Sequence, residues 1–155
     1  MNYGQVKIRP FHPTDQTATK QLILAGLVEH WSTLDPTCNP DLDDIASSYW
    51  GETFLLAVKG EEIVGCGALI AEESKEGYGR IVRMSVKKTD RRQGIGQRIL
   101  KHLETAARHR QFQQIVLETT QTWESAVAFY LRNNYQIIGS WDGNTHFKKE
   151  IIKTK

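Results

Sequence analysis

The chain has 155 residues, of which 39% are hydrophobic and 25% charged, with a formal net charge of +2. This is enough for one ordinary domain, residues 1–155, to bury its own core, and no apolar run approaches the ~18 residues that a membrane span needs. Cys38 and Cys66 stand far apart as the only cysteines, without a C-x-x-C pair, so neither a disulfide framework nor a thiolate zinc site is suggested. Met1 to Pro10 lacks a secretory pattern, so a reducing cytosol is the expected compartment.

Gln5 to Phe11 alternates Val6, Ile8 and Phe11 with polar residues and stops at Pro13-Thr14-Asp15, a strand followed by a helix cap. A helix from about Asp15 to His30 follows, with Leu22, Ile23, Gly26, Leu27 and Trp31 at helical spacing; Gly26 weakens it. After Pro36 and Pro40, Asp41 to Trp50 returns to a helical period with acids in its first turn. Thr53 to Lys59 and Glu62 to Ala71 read as strands joined at Gly60-Glu61, and Gly65 and Gly67 within the second signal a bulge or a close backbone approach. A third strand spans Arg80 to Lys87. Arg92 to Arg110 carries Ile95, Ile99, Leu100, Leu103, Ala106 and Ala107 on one stripe, an amphipathic helix. Gln114 to Thr119 is a strand and Trp123 to Asn133 a helix. Gln136 to Trp141 and Thr145 to Ile151 form a hairpin closed by Asp142-Gly143-Asn144. The order gives an α+β, or mixed α/β, layer fold with helices on a largely antiparallel sheet.

Charge is distributed unevenly. Residues 1–79 hold five basic against twelve acidic residues, whereas 80–112 hold ten basic residues against Asp90 and Glu104. Such a block is a solvated face or a place for phosphates. Its most informative part is Val86 to Gln97, VKKTDRRQGIGQ, where a strand ends, a basic turn follows and two glycines open a helix. Free N–H groups at a helix start carry the positive end of the macrodipole, and glycines let the backbone approach an anion closely. A bare G-x-G arises by chance in roughly half of chains this long, so the weight rests on the Arg ahead of it and on the strand and helix around it. A Rossmann loop wants Gly or Ala where Ile99 stands, and no G-x-x-x-x-G-K-[ST] is present.

Arg91-Arg92-Gln93-Gly94-Ile95-Gly96 resembles the [QR]-x-x-G-x-[GA] acetyl-CoA motif of the GCN5-related N-acetyltransferases. RIVRMSV before it resembles that family's fourth strand, and AVAFYLRNNY its last long helix. The resemblance implies the acyl-CoA N-acyltransferase fold, with acetyl-CoA as donor substrate and an amine as acceptor. Backbone groups of Met84 and Val86, around Ser85, would pair with the pantetheine arm. Backbone N–H groups from Arg91 to Gly96, with Gln97 behind them, would hold the pyrophosphate. It also implies Tyr130, after Phe129, as the proton donor to the departing thiolate; a core Tyr is the plainer alternative. A homodimer is compatible with the family.

Three departures accompany the matches. Trp123 stands where the family has Asn at the helix start, and Asn134 replaces the glycine of a G-[FY] ending, a position Asn tolerates in the left-handed conformation. Arg80 occupies the place where many members carry a Glu base on the fourth strand. Glu118, whose side chain must face away from that of Leu117, is the first substitute, and Glu72, Glu73 and Glu76 are others; each is also readable as an ion-pair partner. His12, His30, His102, His109 and His146 show no metal spacing and no metal is expected. Trp31 and Trp50 are candidates for an acceptor pocket wall or for core. Two other functions compete: a catalytically silent acyl-CoA-binding domain, because of Arg80, and a nucleic-acid module using residues 80–112.

Overall fold

The structure, a computed structural model, describes residues 5–30 and 39–151. Its strands form one seven-stranded, mostly antiparallel sheet in the order β1-β2-β3-β4-β5-β7-β6, flanked by helices. The strands are β1 (Val6–Pro10), β2 (Thr53–Lys59), β3 (Glu62–Ala71), β4 (Tyr78–Val86), β5 (Gln114–Thr120), β6 (Gln136–Trp141) and β7 (Asn144–Glu150). The helices are α1 (Gln16–His30), α2 (Ile45–Ser48), α3 (Ile95–His109) and α4 (Glu124–Arg132). The chain divides into two compact units, Met1–Ala68 with Arg83–Leu103 and Leu69–Val82 with Glu104–Lys155. Among the described residues, no helix is long and apolar enough to cross a membrane.

In the first unit β1 pairs antiparallel with β2, from Val6 opposite Lys59 to Pro10 opposite Leu55. Pro10 is tolerated because β1 is an edge strand. A 3-10 turn, Pro13–Asp15, leads into α1 through reciprocal capping: the Thr14 N–H donates to His12 Nδ1 (3.3 Å) and the His12 N–H to Asp15 Oδ2 (2.9 Å). Arg9 holds the same carboxylate with two bonds of 2.8 and 3.0 Å. Gly26 has a packing reason, since a Cβ there would lie 3.0 Å from Ser85 Oγ on β4.

The helix expected over Asp41 to Trp50 is instead a 3-10 turn, Pro40–Asp43, and the single helical turn α2. Asp44 breaks it, because its extended backbone (ψ +87°) ends one segment while its carboxylate caps Ser47 N–H at 3.1 Å to start the next. The Gln16 side chain ties the pair to α1, donating to Leu42 O (2.7 Å) and accepting from Ile45 N–H (2.9 Å). Helix α3 begins at Ile95 rather than Arg92, for Arg92 and Gly94 both have positive φ (+64° and +78°), which no α-helix accommodates. Its Ile95, Ile99, Leu100 and Leu103 are buried, as the stripe predicts. It lies very close to β3: a Cβ on Gly65 would stand 2.9 Å from Ile99 Cδ1, and one on Gly67 3.0 Å from Ile99 Cγ2.

In the second unit β5 is parallel to β4 from Tyr78 opposite Gln114 to Arg80 opposite Val116, and antiparallel to β7 along its whole length. The third strand therefore starts two residues before the expected Arg80. The β6–β7 hairpin turns at Asp142 and Gly143, both at positive φ (+53° and +79°), the geometry that favours Asp-Gly. Helix α4 ends as the Asn134 substitution implies, with Asn134 at φ +71° and Tyr135 N–H returning to Tyr130 O at 3.0 Å. Glu104 is buried beneath this turn, accepting from the Tyr135 hydroxyl (2.8 Å) and from Lys149 (3.1 Å). A buried carboxylate persists only when it is paired in this way.

Candidate functional site

In the first unit, β4 runs into the basic turn through a backbone distortion. Arg83 has φ +58°, rare for a residue with a long side chain. It is pinned there by Asp41, which accepts from Arg83 Nε (3.0 Å) and Nη2 (2.7 Å), and by Asn39 Oδ1 (3.1 Å). Tyr49 donates its hydroxyl to the same carboxylate at 2.6 Å. Burial works to raise the Asp41 carboxyl, but the bonds from Arg83 and Tyr49 outweigh it and hold the group below its ordinary range. The Arg83 carbonyl in turn accepts from the Cys66 thiol, which burial pushes up to about 12, so that sulfur is packing rather than a nucleophile. Met84, Ser85 and Val86 follow, beyond the last residue pair of the β4–β5 ladder.

The turn after Val86 is anchored beneath and open above. Lys87 N–H donates to Val64 O (2.8 Å), and a 3-10 turn, Lys88–Asp90, closes with Asp90 N–H on Lys87 O (2.8 Å). Asp90 is buried against the Lys59 ammonium, whose hydrogen bond holds its carboxyl below the usual range. Arg91 is committed to partners within the chain: Nε donates to Val86 O at 2.9 Å, and the other two nitrogens grip Glu29 at 2.7 and 2.8 Å. Its N–H reaches Lys88 O at 3.5 Å. From Arg92 through Gln93, Gly94, Ile95 and Gly96 to Gln97, the backbone N–H groups donate to no acceptor among the described residues; the first helical bond is Arg98 N–H to Gly94 O at 3.0 Å. Arg92 and Gln93 are exposed, and the Arg92 guanidinium has no partner among the described residues. A row of unspent donors, the positive end of α3 and one unpaired arginine are the features that favour an anion.

In the second unit, Arg80 is clasped by two carboxylates. Its Nε donates to Glu72 Oε2 at 2.7 Å, Nη2 to the same oxygen, and Nη1 to Glu118 Oε2. Leu117 is buried and Glu118 exposed, so the two point to opposite faces as β geometry requires. Glu73 and Glu76 are exposed without ion-pair partners among the described residues. Tyr130 is on the Leu117 side: its ring meets Phe147 (5.6 Å between centroids) and Tyr135 (5.7 Å) edge-on or tilted. Burial raises its hydroxyl well above the ordinary phenol range, which keeps the proton on, and no described residue accepts a bond from it. Tyr130 and Glu118 thus approach the sheet from opposite faces and do not touch. Trp123 starts α4 with no side-chain capping bond. Trp50 is 87% exposed and is not core, and Trp31 lies outside the described residues.

The model of the acetyltransferase (GNAT) family matches residues 18–135. The chain belongs to the GNAT acetyltransferase family. Among curated relatives, the GNAT chain is 37% identical to an IAA acetyltransferase of Azospirillum brasilense over 82 residues, 53% of each protein. It is 31% identical to N-acetyltransferase 8B of Rattus norvegicus over 125 residues, 76% of this chain and 55% of that one. It therefore spans just over half the length of the curated relatives it matches. Two solved structures show the same GNAT fold. One is a GNAT acetyltransferase of Staphylococcus aureus Mu50 (TM-score 0.86, 22% identity, 95% of this chain and 99% of that one). The other is the PaiA N-acetyltransferase of Thermoplasma acidophilum in complex with coenzyme A (TM-score 0.80, 12% identity, 94% and 98%).

Features that sequence reading missed in this GNAT chain are relational. The Glu29 and Lys59 partners of the turn come from α1 and β2, with no local signal. Asp142 and His146 at the end of the last hairpin face one another at 3.0 Å; their i, i+4 spacing across an Asp-Gly turn was a readable hint.

Proposed function

We propose that the protein is an active N-acetyltransferase that takes the acetyl group of acetyl-CoA to a primary amine of a small molecule or peptide. The observation that carries this reading is the run of six unspent N–H groups from Arg92 to Gln97. A diphosphate would accept from that row, with the Arg92 guanidinium beside it and Arg91 braced behind the turn. Backbone groups of Met84 and Val86, flanking Ser85, would pair with the pantetheine arm beyond the early end of the β4–β5 ladder, with Val86 O already accepting from Arg91 Nε.

Tyr130 would supply the proton to the leaving thiolate, since burial keeps its hydroxyl protonated. Glu118 would order the incoming ammonium on the opposite face, using the oxygen that Arg80 does not occupy. A nucleic-acid module fits less well, since Arg80, Arg83, Lys87 and Arg91 of the basic stretch are each spent on acids.

The test is a thermal melt with acetyl-CoA followed by thiol release with an amine panel. Saturation at a hundredfold excess over Kd adds about 2.7 kcal/mol, readable as a rise in Tm. Steady thiol release with at least one amine is expected. No shift at millimolar acetyl-CoA would remove the reading, and a shift without turnover would leave only the silent acyl-CoA-binding domain.

A further inference from the structure

The proposed reaction lacks a base, because Arg80 stands in the expected place of one and its guanidinium is engaged on both sides by acids. Strand register supplies a replacement. Arg80 lies opposite Val116, Glu118 is two residues further on the same face, and Glu118 lies directly opposite His146. Direct antiparallel neighbours hold their Cβ atoms about 4.5–5.5 Å apart on one face. Strand β6 continues that face with Gly139 opposite His146 and Trp141 opposite Asn144.

The imidazole of His146 is held on two sides. Trp141 stacks on it with centroids 3.8 Å apart and planes 7° from parallel. Gly139 makes room for the indole, as a Cβ there would stand 2.9 Å from Trp141 Cε3. Nε2 lies 3.0 Å from Asp142 Oδ1, to which Asn144 Nδ2 also donates at 3.2 Å. An ionised carboxylate only accepts, so in the neutral ring Nε2 carries the proton and Nδ1 keeps a lone pair. No described residue bonds Nδ1, and none bonds the second oxygen of Glu118. The His146 side chain is 12% exposed. A histidine serving only to fill the hairpin has no need of one fixed N–H and one bare nitrogen, whereas a general base needs both.

We propose that His146, oriented by Asp142 and Trp141, is the general base of the acetyl transfer, with Glu118 holding the acceptor ammonium beside it. This rests on the acetyltransferase reading above. The ammonium binds the free Glu118 oxygen and yields one proton to Nδ1. The nitrogen lone pair then forms a bond to the thioester carbonyl carbon. The C–S bond breaks with its electron pair on sulfur, which takes the Tyr130 proton from the other face of the sheet, the thioester lying beyond the last β4–β5 pair, Arg80 and Val116, where it would be reached from both faces, while the new amide nitrogen sheds its second proton to solvent. Tyr130 regains a proton from solvent and His146 releases the one it took, so the products are the acetamide, the CoA thiol and one net proton. The charged groups around His146 are Asp142 from the turn, Glu118 from β5 with Arg80 beyond it on β4, and Lys148 two residues along β7.

Two measurements test this. Nitrogen-15 NMR of the wild-type imidazole across pH should show Nε2 protonated in the neutral ring and Nδ1 as the nitrogen that titrates; a neutral ring protonated on Nδ1 overturns the proposal. With an amine that the wild type acetylates, His146→Gln should keep the acetyl-CoA melting shift, lower kcat/KM by roughly 10²-fold and lose the low-pH limb of its profile. A His146→Gln enzyme with wild-type rate and limb overturns this proposal alone. A wild-type chain that binds acetyl-CoA yet acetylates no amine overturns both readings.

Discussion

Arg91 and Glu29 are joined by two near-parallel bonds of 2.7 and 2.8 Å, while the next residue, Arg92, turns outward at φ +64° with no partner among the described residues. Adjacent arginines therefore do different work. Arg92→Gln should raise the Kd for acetyl-CoA by roughly fivefold to tenfold at low salt and flatten its salt dependence, because it removes a screened phosphate contact. Arg91→Gln should lower the Tm slightly, an exposed pair being worth about 0–1 kcal/mol, with a smaller effect on the salt slope. Titrations of both variants at two ionic strengths separate the roles.

Gly94 sits at φ +78° with nothing within 4 Å of where a Cβ would be. Gly94→Ala should cost about 1 kcal/mol of stability from backbone strain alone. If the turn holds a diphosphate, that methyl group also enters the ligand's space, and acetyl-CoA affinity should fall by more than the stability loss accounts for. Chemical denaturation beside calorimetric binding distinguishes the two losses.

The Tyr130 hydroxyl has no bond among the described residues, so Tyr130→Phe should barely change the Tm or the acetyl-CoA Kd. If it protonates the thiolate, kcat should drop by roughly 10²- to 10⁴-fold. An unchanged single-turnover rate would return Tyr130 to the aromatic core with Phe147 and Tyr135.

Asp15 offers a pH test at the start of α1. Hydrogen bonds from Arg9 hold its carboxyl below the usual range; burial opposes this and His12 N–H reinforces it. The folded form binds its proton less readily than the unfolded one. The pair therefore stabilises the fold above the ordinary carboxylate range near pH 4, and the gain is lost as pH falls through the depressed folded value. Asp15→Asn should cost about 1 kcal/mol at neutral pH, given that Arg9 is part-exposed. The gap to wild type in urea melts should close towards pH 2.

The sequence made legible those features that depend on neighbours along the chain. Asp142-Gly143 announced a hairpin, Asn134 a left-handed helix exit, and the Ile95, Ile99, Leu103 stripe the buried side of α3. The paired glycines of the turn were legible for the same reason. What escaped depends on distant partners. Arg83 takes a positive φ because Asp41 and Asn39 grip it from more than forty residues upstream, and Asp41 to Trp50 is not a full helix because its acids serve that contact and a cap. Glu118 was foreseen facing away from Leu117, but only the β4–β5 and β5–β7 registers reveal that it stands between Arg80 and His146.

Gly65 and Gly67 set how deeply α3 docks on β3. Ile95 and Ile99 rest almost on bare backbone there, with Ser85 O 3.3 Å from the place a Gly65 Cβ would occupy. The helix start is thereby leveled to the strand end by two missing methyl groups, as a hinge leaf is recessed into its frame. A chain that acquired an alanine at either position could keep every residue of the turn and still present its donors at the wrong height. If the turn holds a diphosphate, selection on that grip would act on strand residues outside the turn.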